Sequence, residues 1–315
     1  MQDTIEKIFS VKTFDYNRAE PCIVWETDHW AVVYKPPHLP TAPLRADERQ
    51  TLVYWFLHRA EAGAIGYADD TQDPSAEYGQ CIQEALSGNK PKMPAAGQGI
   101  REAQVRGKKS IEAGLLHRLD TDTRGLVLFA KDQAVYDFLA AQQEAGQIIK
   151  TYCAFVEPCR PDAAVHRIAA VESQFRNFGP GAKMVAPVFP GSRQYKKDGR
   201  LYTTVIEALE ELPLPVEELR LSVDIPPPSP VDVSVSTSPL LRVRCRLSRG
   251  YRHQVRAHLA AAGLPIVGDP LYAPQEAQDA HRSLQLYAVK LEFPDPENPR
   301  QNICVVLPPP DKMNP

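Results

Sequence analysis

The stretch that decides the fold is 117–131, His-Arg-Leu-Asp-Thr-Asp-Thr-Arg-Gly-Leu-Val-Leu-Phe-Ala-Lys. Apolar residues at 115–116 lead into it, and a second apolar run covers 126–130. This pattern predicts a strand, a polar turn and another strand, with Asp120 at the tip of the turn. Arg118, two residues away, is expected to keep the carboxylate ionised. An ionised Asp on a rigid support can act as a nucleophile or a base.

Other interpretations compete with catalysis for this segment. A calcium-binding loop starting at Asp120 is excluded, because Arg124 and Lys131 would occupy two of its ligand positions. An acid–base hydrolase using Asp120 with Asp122 is disfavoured, because carboxylates two residues apart need not converge on one substrate bond. A structural cap of the turn is a common role for Asp and stays open on local pattern alone.

Further stretches accompany this segment along the chain. They are Tyr-Lys-Pro-Pro at 34–37, Lys-Thr-Tyr-Cys-Ala at 150–154, Gly-Tyr-Arg-His-Gln-Val-Arg-Ala-His-Leu at 250–259 and Gly-Leu-Pro-Ile-Val-Gly-Asp-Pro-Leu-Tyr at 263–272. Together with His-Arg-Leu-Asp at 117–120, they resemble the motifs of the RluA family of RNA pseudouridine synthases, in the family's order. The resemblance covers the chain from about residue 22 to residue 290, with two long insertions.

The resemblance implies an α+β pseudouridine synthase fold, in which a mixed, largely antiparallel β-sheet is flanked by helices and loops. It also implies an isomerase that converts specific uridines of structured RNA, either rRNA or tRNA, to pseudouridine without a metal or another cofactor. A non-catalytic RNA-binding protein on the same scaffold is the alternative. RNA is then the expected partner, with no membrane partner, and the protein is expected to be a monomer.

The resemblance also assigns catalytic roles to Asp120 and Tyr152. Asp120 would be the carboxylate that attacks C6, attacks C1′ or deprotonates the sugar, and the sequence leaves these three routes open. Tyr152 resembles the family's tyrosine, which removes the C5 proton and stacks on the uracil. Its structural alternative is a half-buried aromatic side chain of a strand.

One motif departs from the family at the arginine that is expected to pair with the catalytic Asp. The family usually has Gly-Arg-Thr-His-Gln-Ile-Arg, whereas this chain has Tyr251 at the first Arg position and Arg252 at the Thr position. Arg252 is therefore the expected catalytic partner of Asp120, with Arg256 or a lost pairing as alternatives. Arg124 and His38 also depart from the family, which commonly has Ser and Gly at these positions.

The net charge of −3 over 315 residues gives no overall sign of nucleic-acid binding, and the positive charge that could bind RNA is concentrated in short stretches. Arginines at 242, 244 and 246 would lie on one face of a strand, a pattern that suits phosphate contacts but also a solvated surface. Next to Asp120, Arg118 would fill the space of a flipped uridine or hold a phosphate, unless it only pairs with Asp120. The predicted RNA-binding residues are His117, Arg118, Arg242, Arg244, Arg246, Arg249 and Arg256.

Domain organisation follows from the same patterns. We expect an N-terminal extension at 1–21 and a single catalytic domain at 22–315, with surface insertions near 63–110 and 211–238 that are rich in turn-forming residues. The six cysteines show no metal-ligand spacing and are expected to be small hydrophobic residues. A polar N-terminus and the lack of long apolar runs make the cytoplasm the expected location.

Individual elements can also be predicted. A hairpin is expected at 22–25 and 31–35, and further strands at 148–157, 241–247, 285–293 and 303–307. Helices are expected at 51–62, from the cap Asp132 through 145, and at 253–262.

Overall fold

A computed structural model describes residues 5–59, 105–159, 169–212, 240–274 and 283–313. Within these residues the chain forms eleven strands and three α-helices. The strands are β1 (Ile5–Ser10), β2 (Cys22–Glu26), β3 (Trp30–Lys35), β4 (Arg124–Ala130), β5 (Ile149–Val156), β6 (Ala170–Phe178), β7 (Met184–Val188), β8 (Tyr202–Glu211), β9 (Leu241–Leu247), β10 (Leu286–Pro294) and β11 (Gln301–Val306). The helices are α1 (Leu52–His58), α2 (Gln133–Glu144) and α3 (Gln254–Ala261). The two predicted insertions lie largely outside the described residues.

All of these strands join in one sheet, in the order β2-β3-β4-β10-β5-β9-β8-β6-β7, with β11 also paired to β10 and β1 paired to β11. Two pairs are parallel, β4 with β10 and β1 with β11. The other pairs are antiparallel. The predicted α+β fold with a mixed, largely antiparallel sheet is therefore confirmed.

Most predicted elements form within a few residues of their expected bounds. Asp132 caps α2 as predicted, since its Oδ1 accepts a hydrogen bond from Val135 N at 2.9 Å. The predicted strand before Asp120 is wrong, because Leu115 makes only an isolated bridge to Phe129. Strands β1, β6, β7 and β8 were not predicted. Strand β1 lies inside the expected N-terminal extension and pairs with residues 301–306. No local sequence pattern predicts this pairing, because the two strands are far apart in the chain.

The sheet buries a hydrophobic core on each of its faces, and β5 contributes to both. Tyr152 and Ala154 point into the core that also holds α1 and α3. Cys153 and Phe155 point into the core that holds Leu139 of α2. This alternation follows from the two-residue period of a strand. It places Tyr152 on the face covered by α1 and α3.

Five of the cysteines lie among the described residues, and none of these five is in a disulfide. Cys153, Cys245 and Cys304 are buried, as the sequence predicts for small hydrophobic residues, whereas Cys159 is exposed. In the described part of the chain, no helix is long and apolar enough to cross a membrane.

The close approach of β4 to β10 depends on Gly125, which has a φ of +124°. A Cβ atom at this position would lie 2.2 Å from the carbonyl oxygen of Ala288. We expect Gly125→Ala to lower the free energy of unfolding by about 3 kcal/mol or more, measured by urea denaturation. The matched control is Gly191→Ala, where φ is +87° but the space is open. That control should cost only about 1 kcal/mol, and equal losses in both variants would contradict the argument.

Candidate active site

Asp120 lies on a turn that is held by side chains on both sides of it. Leu119 N donates to Thr41 Oγ1 at 3.1 Å, and the Thr41 hydroxyl donates to Leu119 O at 2.7 Å. On the other side, Lys35 Nζ donates to Thr121 O at 2.8 Å. These bonds fix the backbone before and after Asp120, so its carboxylate is presented from a rigid support.

Lys35 is fully buried, and its ammonium also donates to Pro36 O and Leu39 O at 2.8 Å each. Burial lowers the pKa of Lys35 to about 7, against the opposing effect of the Asp122 and Asp120 carboxylates. Three carbonyl acceptors suit the charged form of the amine. The sequence singled out the Tyr-Lys-Pro-Pro motif without predicting that its lysine holds the turn of Asp120.

The partner of Asp120 is Arg256 on α3. Arg256 Nη1 donates to Asp120 Oδ2 at 3.1 Å, while Nε and Nη2 form a two-pronged pair with Asp269 at 2.8 and 2.7 Å. Burial works to lower the pKa of Arg256, but its bonds to Asp269 and Asp120 hold the pKa above the ordinary value. Asp269 is fully buried and also accepts hydrogen bonds from two backbone amides, those of residues 271 and 272.

The prediction that Arg252 pairs with Asp120 is therefore wrong. Arg252 Nη2 donates instead to Asn177 Oδ1, Ala182 O and Met184 O, which lie on and beside the β6–β7 hairpin. Arg252 precedes α3 in the turn, whereas Arg256 lies within the helix on its buried side. Arg256 pairs with Asp120 instead, which is one of the alternatives that the sequence left open.

His253 is a neighbour of Asp120 to which the sequence assigned no role. Its Nε2 lies 3.8 Å from Asp120 Oδ1, and its Nδ1 lies 3.0 Å from Tyr272 Oη. Tyr272 Oη accepts a hydrogen bond from Val185 N at 2.8 Å, so its own proton can be donated to Nδ1; in that tautomer the ring proton is on Nε2, on the side of Asp120. Burial lowers the pKa of His253, which favours the neutral ring beside the carboxylate.

Tyr152 forms part of the cleft wall near Asp120. It is paired with Cys245 across the β5–β9 ladder, and its residue is only 8% exposed. Burial raises the pKa of Tyr152 above its ordinary value, and the nearby Asp120 carboxylate raises it further. The phenol is therefore neutral at physiological pH. The structure thus brings Asp120 and Tyr152 to one cleft, as the sequence predicted.

This cleft is open, has a volume of about 1100 Å³ and is richer in positive than in negative side chains. Its acidic residues are Glu48, Glu112, Asp120 and Glu144. Its basic residues number twice as many: Arg49, Lys108, Arg118, Lys150, Arg200, Arg249, Arg252 and Arg256. A local excess of positive charge attracts a polyanion even when the whole chain is slightly acidic.

The predicted arginine stripe on β9 forms, but it lies on the other face of the sheet. Arg244 is opposite Cys153, whereas Tyr152 is opposite Cys245, so the stripe and the cleft point in opposite directions. Arg242 is paired with Glu210, and Arg244 and Arg246 approach Glu207. None of the three therefore lines the cleft of Asp120, and RNA contact by these arginines stays a prediction.

The other predicted RNA-binding residues have different surroundings. His117 points inward, where its Nε2 accepts a hydrogen bond from Leu128 N, and burial together with Lys150 keeps its pKa well below the ordinary value. Arg118 is 60% exposed at the cleft, and among the described carboxylates it pairs with Glu112 at 3.9 Å, not with Asp120. Arg249 lines the cleft and donates to Glu144 O at 2.8 Å. Arg256 is buried between two carboxylates, a position unsuited to a phosphate.

Comparison with known proteins adds an independent observation. A family model described as RNA pseudouridylate synthase matches residues 29–261. RNA pseudouridine synthase 2 (chloroplastic) of Arabidopsis thaliana is 25% identical over 255 residues, which are 79% of this chain and 48% of that protein. The dual-specificity RNA pseudouridine synthase RluA of Vibrio cholerae is 29% identical over 187 residues, 58% of this chain and 60% of that protein. The chain spans about half the length of the curated relatives it matches.

A solved structure supports the fold alone. The structure of human RNA pseudouridylate synthase domain containing 1 aligns with a TM-score of 0.51 and 15% sequence identity. The alignment covers 96% of this chain and 86% of that chain.

Proposed function

The chain belongs to the RluA family of RNA pseudouridine synthases, and on that premise we propose that it isomerises uridine to pseudouridine in RNA. One observation carries the proposal. The Asp120 carboxylate, held by Arg256, shares an electropositive cleft with the largely buried ring of Tyr152. The motif pattern, the pairing of charges and the shape of the site all support the same chemistry.

The reaction breaks the bond from C1′ to N1, turns the uracil and joins C1′ to C5. Its substrate and product have the same atoms, so no redox partner or energy source is consumed. Asp120 is proposed as the reacting group. Arg256 occupies its Oδ2, which leaves Oδ1, on the side of His253, as the oxygen that attacks the nucleotide or removes a sugar proton. Kinetic measurements distinguish among these routes.

Arg256 and His253 would act on the same carboxylate from different sides. The guanidinium balances the charge of Asp120 at a partly desolvated site, where the attraction between opposite charges is stronger than in water. His253 Nε2 lies 3.8 Å from Oδ1, and with its proton on Nε2 the ring would approach that oxygen as its charge changes during the reaction. Preorganised donors of this kind lower the cost of moving charge.

Tyr152 is proposed to relay the proton from C5 after the new bond has formed. Because its phenol is neutral, the oxygen takes the C5 proton as its own proton passes to a base, and the freed Asp120 carboxylate in the same cleft is proposed as that base. We expect Tyr152→Phe to lower kcat for pseudouridine formation by about 10²- to 10⁴-fold, because the oxygen that carries the proton is lost. The ring remains in Tyr152→Phe, so KM should change little, whereas Tyr152→Leu should impair both constants. Single-turnover assays on one RNA substrate measure the difference. An unchanged kcat for Tyr152→Phe would remove the proton-transfer role.

The proposed activity is tested with the full chain and defined transcripts. Purified protein is incubated with rRNA and tRNA transcripts in turn, and pseudouridine is then quantified and mapped. Site-specific product in any of them supports an isomerase. A protein that binds the transcripts without forming product would favour the non-catalytic alternative, which is motivated by Tyr251 at the family's arginine position.

The substrate class and setting are also proposals. We propose structured rRNA or tRNA, which is supported by relatives named ribosomal large subunit pseudouridine synthase D, for example in Zymomonas mobilis, 28% identical over 171 residues. A reducing, cytoplasmic setting and a monomeric state are proposed with it. The free state of the five described cysteines supports the reducing setting.

A further inference from the structure

A cluster of three aromatic rings forms one side of the cleft, and the chemistry assigned to Asp120 does not use it. The aromatic wall consists of Phe175, Tyr202 and Tyr251. The rings of Phe175 and Tyr251 are stacked, with centroids 4.9 Å apart and planes 5° apart. The ring of Tyr202 lies 5.0 Å from Tyr251 and 5.8 Å from Phe175 at steeper angles. Tyr202 and Tyr251 both line the cleft that contains Asp120.

The aromatic wall has a rigid support behind it. Phe175 stacks on the ring of His258 at 4.8 Å. His258 is completely buried, and its two nitrogens lie within hydrogen-bond distance of Ser173 Oγ at 2.8 Å and Thr204 Oγ1 at 2.9 Å. Burial lowers the pKa of His258 to about 4, so this support stays neutral over the physiological range. The ring of Tyr251 is thus fixed from behind.

The side facing the cleft combines flat rings with positive charge. Arg200 precedes Tyr202 by two residues, and Arg249 and Arg252 flank Tyr251; all three arginines line the cleft. In the described part of the chain, neither phenol oxygen of the aromatic wall has a hydrogen-bond partner, so packing rather than hydrogen bonding holds both rings. Stacking rings beside arginines are the combination by which proteins hold unpaired nucleotides.

We propose that Tyr202 and Tyr251 form a stacking platform for an unpaired nucleobase that flanks the target uridine, with its phosphate held by the arginines at the rim. The inference rests on the proposed function, since it presumes that RNA occupies the cleft. It goes further by assigning a separate binding subsite to residues outside the reacting group. It also gives Tyr251 a role of its own at the position where the family has an arginine. Stacking is tolerant of sequence, so the platform should bind the neighbour without selecting its identity strongly.

A fluorescent RNA tests the platform directly. The probe is a single-stranded oligouridylate that carries one 2-aminopurine, whose fluorescence falls when the base stacks. We expect Tyr251→Leu to raise Kd by about 5- to 150-fold and to remove the quenching seen with the wild-type protein. Tyr251→Phe keeps the ring and should stay within about twofold of the wild-type Kd. Phe189→Leu, at an exposed phenylalanine outside the cleft lining, is the control for losing a surface ring.

Thermal unfolding followed by circular dichroism checks that each variant is folded. If Tyr251→Leu is not folded, Tyr202→Leu is used for the same binding test. Unchanged Kd and quenching in a folded leucine variant would overturn the platform, as would failure of the wild-type protein to bind the probe. Pseudouridine formation by the wild-type protein is measured separately. Turnover with unaffected binding in the variants rejects the platform alone. Loss of binding in the variants, without turnover by the wild type, rejects the proposed function and keeps only the stacking of an unpaired base on the two rings.

Discussion

Asp120→Asn is expected to lower pseudouridine formation by at least about a thousandfold, because the amide has neither the charge nor the nucleophilicity of the carboxylate. The fold should survive the change. An amide oxygen can still accept from Arg256, and Arg256 keeps its two bonds to Asp269. RNA affinity should stay close to that of the wild type, because most of the positive charge of the cleft is unaltered. The measurement is mapping of pseudouridine in a transcript that the wild-type protein modifies.

Asp122→Asn is the matched control for this variant. Asp122 lies two residues away on the same turn, but its partner is the exposed His38 at 3.0 Å. An exposed pair of this kind contributes about 1 kcal/mol or less, so activity should stay within a few-fold of the wild type. Full activity of Asp120→Asn would show that Asp120 is not the reacting group. Loss of activity in both variants would instead point to a pair of cooperating carboxylates.

Arg256→Gln is expected to have the largest effect on stability, because it breaks a buried network of charges. Asp269 is fully buried and would lose both guanidinium bonds, and Asp120 would lose its only hydrogen bond from a described side chain. Leaving a buried charge without its partner costs about 3–5 kcal/mol of unfolding free energy. Urea denaturation measures this loss, and pseudouridine formation should fall as well, since the orientation of Asp120 is no longer fixed.

Arg252→Gln is the corresponding control, because Arg252 was the arginine that the sequence favoured. Its bonds go to exposed groups on and beside the β6–β7 hairpin, so the loss of unfolding free energy should be about 1 kcal/mol or less. A double variant, Arg256→Gln with Asp269→Asn, should regain part of the lost stability by removing the unpaired carboxylate, while activity remains low. Equal stability losses for the two arginines would contradict the assignment of Arg256.

The sequence located the proposed reacting groups because each lies in a short stretch with a recognisable order of residues. Asp120 and Tyr152 were found in this way, and so was the cap of α2 at Asp132. The choice between Arg252 and Arg256 could not be made locally. Arg252 lies in the turn before α3 and Arg256 on the buried side of the helix, so their directions depend on how α3 packs on the sheet. His253 and Asp269 were overlooked, although both lie within the motif stretches that were quoted.

His38 shows how a departure from the family can be accommodated. It occupies a position where the family commonly has Gly, and its φ of 59° lies in the left-handed region that glycine adopts most easily. Its Nδ1 lies 3.0 Å from Asp122 Oδ1, which provides a contact that glycine lacks. Sequence comparison noted the change, but only the backbone angle explains why the position is unusual.

The arginine stripe on β9 shows which features follow from the sequence alone and which depend on the tertiary structure. Alternation with a period of two fixes that Arg242, Arg244 and Arg246 share one face, because successive side chains of a strand point to opposite sides. Which face meets the cleft depends on the register of β9 with β5, which puts Cys245 opposite Tyr152. By itself the sequence determined most of the elements, the motifs and the candidate carboxylate, since these follow from neighbours along the chain. Only the tertiary structure decided which arginine holds Asp120 and which charges face the cleft, because those contacts join residues far apart in sequence.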